Sequence, residues 1–377
     1  MNTHTVFVSL RSWTFVLLAT IAQPLLASGS AQGSDWQTAT PSDMNFAADL
    51  PDQLDTALGG DFYDGVHSVV LARGGKLVYE RYLSGDDEIF GLTKEGVVFS
   101  PERLHDIRSI TKSVVGLLYG IALKDGLVPQ LDTPLFRAFP EYPDLPRHPR
   151  RREILVSHAL SMTMGLEWDE MSQPYGEFSN SENAMYRVSD SIRFALDRPI
   201  SVTAGTVWTY SGGATALLAE IIRRGTAGDL IEFAEEELFR PLGIERFEWI
   251  TDYNGLPYAA AGLRLRPRDT AKLGQLVLQS GRWNGRQLVP AEWIAISTVS
   301  HAEAVDGCSY GYQWWLCQTQ GGLKVIEGSG WGGQNLLIVP DLDLVLVVNA
   351  GFYGDSEAWM RAYGLLEDVI IPSIRAD

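Results

Sequence analysis

Cysteine is almost missing from this chain of 377 residues: Cys308 and Cys317 are all it has, and two cysteines cannot make a structural zinc site. Histidine is scarce too. The six, at positions 4, 67, 105, 148, 158 and 301, show neither His-x3-His nor His-Glu-x-x-His spacing, so the sequence indicates no metal cofactor. Positive charge is short, with 30 Lys and Arg against 47 Asp and Glu and a formal charge of −17 at pH 7. That argues against nucleic acid as a partner, since such binders draw their affinity from basic patches on phosphate. No internal repeat is visible. What is present is a globular balance, 45% apolar and 20% charged, enough for a sizeable core in one large domain or two.

The first thirty residues differ from the rest. Arg11 precedes an apolar run from Trp13 to about Ala22, followed by Pro24 and the small residues Ala27, Ser28, Gly29, Ser30 and Ala31. The run is too short to span a membrane comfortably, and the pattern is that of a signal peptide, 1–31, cleaved after Ala31. The expected product is periplasmic or secreted, with no stable membrane insertion after cleavage. No Cys follows the run to accept a lipid. Export would place Cys308 and Cys317 where pairing is allowed. A bridge would require the loop before Tyr310 to fold back beside the end of an expected Tyr310–Leu316 strand; a bridge and two buried thiols both remain open.

Periodicity sets the architecture. Met44–Leu58 reads as a short helix, and His67–Ala72 and Lys76–Leu83 as strands joined by Arg73-Gly74-Gly75, where glycine supplies positive φ. From 107 to about 300 the pattern is mostly helical; Leu117, Leu118, Ile121 and Leu123 line one such helix. Strands return at Tyr310–Leu316, Leu323–Glu327, Asn335–Val339 and Leu344–Asn349, with a last helix from about Ser356 to Ile370. The expected fold class is α/β of the α+β type. Five or six strands from both ends of the chain form one antiparallel sheet (about 60–106 and 305–377), flanked by helices. The helical middle, about 107–304, is inserted as a second lobe, and the cleft lies between the two. The basic run Arg147, His148, Arg150, Arg151 and Arg152 reads as a solvated loop.

Two motif matches fail on context. Gly307-Cys308-Ser309-Tyr310-Gly311 fits a nucleophile elbow but precedes a strand instead of a helix. Gly328-Ser329-Gly330-Trp331-Gly332-Gly333 fits a dinucleotide fingerprint, yet another strand follows it, so a phosphate would find no helix N-terminus. Ser109-Ile110-Thr111-Lys112 has the right context, because it opens an apolar-periodic helix and puts Ser109 and Lys112 on one face. A Ser hydroxyl needs an adjacent base, and a Lys in a partly dry pocket can lose its proton and serve.

Asp106-Ile107-Arg108-Ser109-Ile110-Thr111-Lys112-Ser113 resembles the first active-site motif of the serine β-lactamase and penicillin-binding protein superfamily, in particular the class C-like branch of esterases and 6-aminohexanoate-dimer hydrolase-like enzymes. His158–Leu166, Trp208-Thr209-Tyr210-Ser211-Gly212-Gly213 and Gly262–Lys272 resemble later motifs in order, and Trp331-Gly332-Gly333-Gln334 sits where Lys-Thr-Gly is expected. The resemblance covers about residues 60 to 370 and implies a β-lactamase/transpeptidase-like fold over the mature chain, 32–377. It also implies the roles: Ser109 as acylated nucleophile, Lys112 as its proton partner, Tyr210 as a second proton carrier, and the backbone N–H groups of Ser109 and Gln334 as the oxyanion hole. Trp331, Gly332, Gly333 and Gly212 would border the substrate.

Two departures bear on specificity. Gly212 stands where the motif has Asn, and Trp331 where it has Lys. Losing that cation removes a charge-assisted contact to a substrate carboxylate, about 1.5–3 kcal/mol, and an aromatic wall favours neutral groups. The expected activity is hydrolysis of small-molecule esters or amides through an acyl-Ser109 intermediate. D-amino-acid peptidase or weak β-lactamase activity is the alternative among enzymes, and a non-catalytic binding protein the alternative outside them.

Overall fold

The computed structural model describes residues 36–252 and 255–375; the expected signal peptide lies outside them. Fifteen strands are assigned among these residues. β1 (Val66–Arg73) and β2 (Lys76–Tyr82) make a hairpin, followed by a second, β3 (Ser84–Ile89) and β4 (Leu92–Val98). β5 (His105–Asp106), β6 (Phe247–Trp249) and β7 (Leu263–Leu265) form a small sheet in the order β5-β7-β6, and β8 (Arg282–Trp283) pairs with β9 (Arg286–Gln287). The remaining six are β10 (Ala302–Glu303), β11 (Ser309–Tyr310), β12 (Trp315–Gln318), β13 (Lys324–Gly330), β14 (Gln334–Val339) and β15 (Leu344–Ala350). The main sheet runs β10-β11-β12-β13-β14-β15-β1-β2, all antiparallel, so the N-terminal hairpin completes a sheet begun by the C-terminal strands.

The interior strands read as continuous apolar runs because both faces are covered. Val70, Ala72, Leu336, Ile338, Val345 and Val347 face one core with helix α2 (Ile110–Lys124) and the later helix Pro267–Leu278. Val69, Leu71, Leu337, Leu344 and Leu346 alternate onto the other face, under α1 (Leu50–Leu58) and the C-terminal helical segment Met360–Ile370. The helical insertion packs on α2 through Gly212–Gly225, against which Val156–Leu160 packs in turn. At the β1–β2 turn, Gly74 and Gly75 take φ of +58° and +72°, as that hairpin requires.

Several expectations need correction. The sheet has eight strands, not five or six. The Met44–Leu58 helix is a short 3-10 turn at Ser42–Met44 and a separate α1, and the C-terminal helix begins at Met360. The hairpin β3–β4 was not foreseen, because its residues are mostly polar or exposed and carry no clean alternation. Tyr310–Leu316 is not one strand. The chain reverses at Gly311–Trp314, where the Gly311 N–H donates to the Trp314 carbonyl (2.8 Å) and Gln313 has φ +66°. Burial of Tyr312 and Trp314 in the core made the turn read as strand. Ser309 thereby pairs with Leu316, and Cys308 meets Cys317 in a disulfide with Cα atoms 4.4 Å apart.

Candidate active site

The approach to α2 is held by three contacts with β7. β5 pairs with β7, the Ile107 N–H donates to the Leu263 carbonyl (3.1 Å), and the Leu263 N–H donates to Thr111 Oγ1 (3.2 Å). Arg108 takes a left-handed backbone, φ +48°, a conformation that persists in a non-glycine residue only when its surroundings impose it. Those surroundings are an ion pair with Glu88 (3.1 Å), the Asp106 carboxylate at 3.5 Å, and the faces of Phe90 and Tyr353. This bend turns the chain into α2 with Ser109 at the N-cap and Lys112 in the first turn. Two glycines of β13 allow the sheet to lie directly on this start: a methyl at Gly330 would fall 2.6 Å from the Ile107 carbonyl oxygen, and one at Gly328 would fall 3.2 Å from Ile110.

Lys112 is 1% exposed. Its Nζ donates to Ser109 Oγ (3.0 Å) and to the Ala260 carbonyl (3.1 Å), lies 3.5 Å from Glu170 Oε1, and sits 4.7 Å from the centre of the Tyr210 ring. Tyr210 comes from the segment before Gly212–Gly225, whose N-cap Ser211 Oγ accepts from the Ala214 N–H. Its ring is packed among Met162, Trp208, Tyr310 and Trp315, and its phenol engages both Ser109 and Lys112. The structure thus brings Ser109, Lys112 and Tyr210 into mutual contact.

The electrostatics differ from those expected of a dry lysine. Burial alone would strip Lys112 of its proton, but Tyr210, Glu170 and Glu182 around it outweigh burial and hold its pKa above the ordinary lysine value. Burial raises the Tyr210 phenol, with Lys112 opposing. These neighbours favour the charged form of Lys112.

Glu170 and Glu182 escaped the sequence reading. The Glu170 carboxylate accepts from the Gly212 N–H (2.6 Å) and from Trp168 Nε1 (2.7 Å), while its other oxygen has no hydrogen bond. Glu182 accepts from the Tyr186 hydroxyl (3.2 Å), and burial together with the neighbouring Glu170 charge pushes its pKa up to about 7. These carboxylates also explain Gly212. A methyl there would fall 2.9 Å from Glu182 Oε1 and 3.1 Å from Glu170 Oε2, so acids occupy the space next to the position where the family motif has Asn. No spacing in the sequence signals them, because a polar loop and a five-residue helix, Ser181–Met185, carry them to Lys112.

Trp331, in the turn between β13 and β14, lies against Tyr175 with ring centres 5.4 Å apart. Gly332 and Gly333 are buried against Tyr353 and against Ala350 and Phe352, so the close approach to the nucleophile belongs to Gly328 and Gly330. Gln334 pairs with Gly330 across the turn. Its side chain is committed to the Ala350 carbonyl (2.6 Å) and the Asn349 amide (3.2 Å). Among the described residues one His/Asp group has metal-ligand proximity, His67 with Asp87 and His105, and none of the three touches Ser109, Lys112 or Tyr210 in the contacts above. No helix among the described residues is long and apolar enough to cross a membrane.

Known proteins are similar to this chain in sequence and fold. The chain is 24% identical over 332 residues to the 6-aminohexanoate-dimer hydrolase of Paenarthrobacter ureafaciens, covering 81% of this chain and 77% of that protein. In three dimensions it is similar to a penicillin-binding protein homologue of Caulobacter crescentus (TM-score 0.67, 18% identity, 90% of this chain and 100% of that one). It is also similar to EstCE1, a hydrolase with promiscuous acyltransferase activity (TM-score 0.66, 15% identity, 83% and 97%). The beta-lactamase family model matches residues 64–358, most of the chain, and the chain therefore belongs to the beta-lactamase family.

Proposed function

We propose that this hydrolase of the beta-lactamase superfamily is an exported serine hydrolase that cleaves small esters or amides through a covalent acyl-Ser109 intermediate. The observation that carries the reading is the buried hydrogen bond from Lys112 Nζ to Ser109 Oγ beneath the Tyr210 ring. Ser109 Oγ would attack the acyl carbon, forming the Oγ–C bond. Its proton would pass to Tyr210 as the phenol proton moves to the leaving oxygen or nitrogen and the old acyl bond breaks. Charged Lys112 would stabilise the partial negative charge on both oxygens during that exchange. Water would then release the acyl group by the reverse traffic. The carbonyl oxygen would lie between the Ser109 N–H at the α2 N-terminus and the turn running from Gly330 to Gln334.

Trp331 supplies an aromatic wall where a carboxylate-pairing lysine would stand, which favours neutral acyl or alkyl groups over penicillins. The relatives' names support hydrolysis of small molecules in general, one being a 6-aminohexanoate-dimer hydrolase and another a hydrolase with promiscuous acyltransferase activity. The test is intact-protein mass after exposure to a serine-directed fluorophosphonate. One adduct on the wild type, absent from Ser109→Ala, is the expected result. A well-folded wild type that stays unlabelled and also fails to turn over p-nitrophenyl acetate or butyrate would overturn the assignment.

A further inference from the structure

Two histidines and an aspartate outside the proposed hydrolytic machinery meet where β1, β3 and β5 converge. His67, Asp87 and His105 are 0%, 3% and 1% exposed, and their ligand-type atoms all lie within 4.8 Å of one another. His67 Nδ1 is 2.9 Å from His105 Nε2, which is 3.7 Å from Asp87 Oδ1. The outer nitrogen of His105, Nδ1, lies 3.0 Å from the Asp106 carbonyl. A carbonyl only accepts, so that nitrogen carries the proton and the His105 Nε2 lone pair points at His67.

Neither neutral form of His67 then satisfies the group. With its proton on Nδ1, His67 serves His105 but keeps a bare, buried Nε2 without a partner, beside the Asp86 carbonyl. With its proton on Nε2, two lone pairs face each other at 2.9 Å. A cation between the inner nitrogens removes the conflict, and the Asp87 carboxylate stands ready to balance it.

We propose that His67 Nδ1, His105 Nε2 and the Asp87 carboxylate bind a divalent transition-metal ion of the zinc type. Two imidazoles and a carboxylate form a donor set of that class. Each ring would then aim its other N–H at a backbone carbonyl, Asp86 for His67 and Asp106 for His105, the outer-shell pattern that fixes ligand tautomers. The inner nitrogens need only open to about 3.3 Å to take an ion at the usual Zn–N distance. The Tyr353 hydroxyl, 3.3 Å from Asp87 Oδ1, orients the carboxylate. The ion joins three strands and sits at β5, which leads through Arg108 into α2. Its role is to fasten the approach to Ser109, not to act on substrate.

The experiment uses the untagged chain from Gln32, stripped with chelator and titrated with Zn2+ by calorimetry and with Co2+ by visible absorption. The expected result is one equivalent bound and a higher Tm with Zn2+ than with chelator. His67→Gln and Asp87→Asn should each weaken binding at least about tenfold. A wild type that binds no equivalent overturns the proposal, as does a site that both variants leave intact. Should the variants misfold, X-ray absorption of the wild-type zinc complex decides: two imidazoles in the coordination shell support the site and fewer refute it. Fluorophosphonate labelling is read separately, so failure of the metal site and failure of the hydrolase reading are distinguishable.

Discussion

A buried lysine gives up its proton only if nothing nearby holds the charge, and around Lys112 Tyr210 and two acids favour the charged form. Glu170 lies 3.5 Å away, and Glu182 carries a pKa of about 7 because burial and the Glu170 charge both oppose its ionisation. The sign of its effect on stability follows by linkage. A carboxyl raised from 4.5 to about 7 holds a proton in the folded chain that the unfolded chain has released. Its contribution to stability is therefore lost as pH rises through that window. Glu182→Gln removes the titration while keeping the shape. The Tm of this variant relative to wild type should climb between pH 5 and pH 8, as scanning calorimetry at several pH values would show; a constant difference would mean that Glu182 is ionised throughout.

Among the elements, the contact of β13 on α2 leaves little room for added volume. Gly330→Ala puts a methyl 2.6 Å from the Ile107 carbonyl oxygen and 3.0 Å from Arg108 Cβ, backbone already bent through φ +48° and unable to yield freely. The expected cost is about 1–3 kcal/mol of stability. Fluorophosphonate labelling should fall with it, because the displaced residues lead directly into Ser109. A variant with unchanged Tm and labelling rate would show that the strand and helix start separate easily.

The same elements show what a sequence discloses. β1, β14 and β15 were legible because strands buried on both faces are continuous apolar runs. Ser109 and Lys112 were legible because one helical turn sets their spacing. The hairpin β3–β4 was not, although it supplies Glu88 to Arg108 and Asp87 to His105. Glu170 and Glu182 owe their chemistry to packing between segments distant from α2. Likewise His67 and His105, 38 positions apart, come together only when β1 and β5 do.

At the scale of the whole molecule the two ends of the chain depend on each other. The family match begins at residue 64, yet the second core needs residues ahead of it: Phe46, Leu50 and Leu54 are fully buried against Leu365, Leu366 and Ile370. Backbone bonds add to the link, from the Ala47 N–H to the Ser373 carbonyl (2.7 Å) and from the Arg375 N–H to the Asn45 carbonyl (2.9 Å). Burying three large apolar side chains contributes about 1.5–3 kcal/mol each. Their sum rivals the whole stability of an ordinary domain, about 5–15 kcal/mol. A chain beginning at Val66 retains Ser109, Lys112, Tyr210 and every strand of the main sheet, but leaves the α1-facing side of that sheet covered only by the C-terminal helical segment. It should be recovered largely insoluble or melt far below a chain beginning at Gln32, by soluble yield and circular dichroism. If it melts within a few degrees of the longer chain, the N-terminal segment is an accessory cover and the sheet is stable on its remaining helices alone.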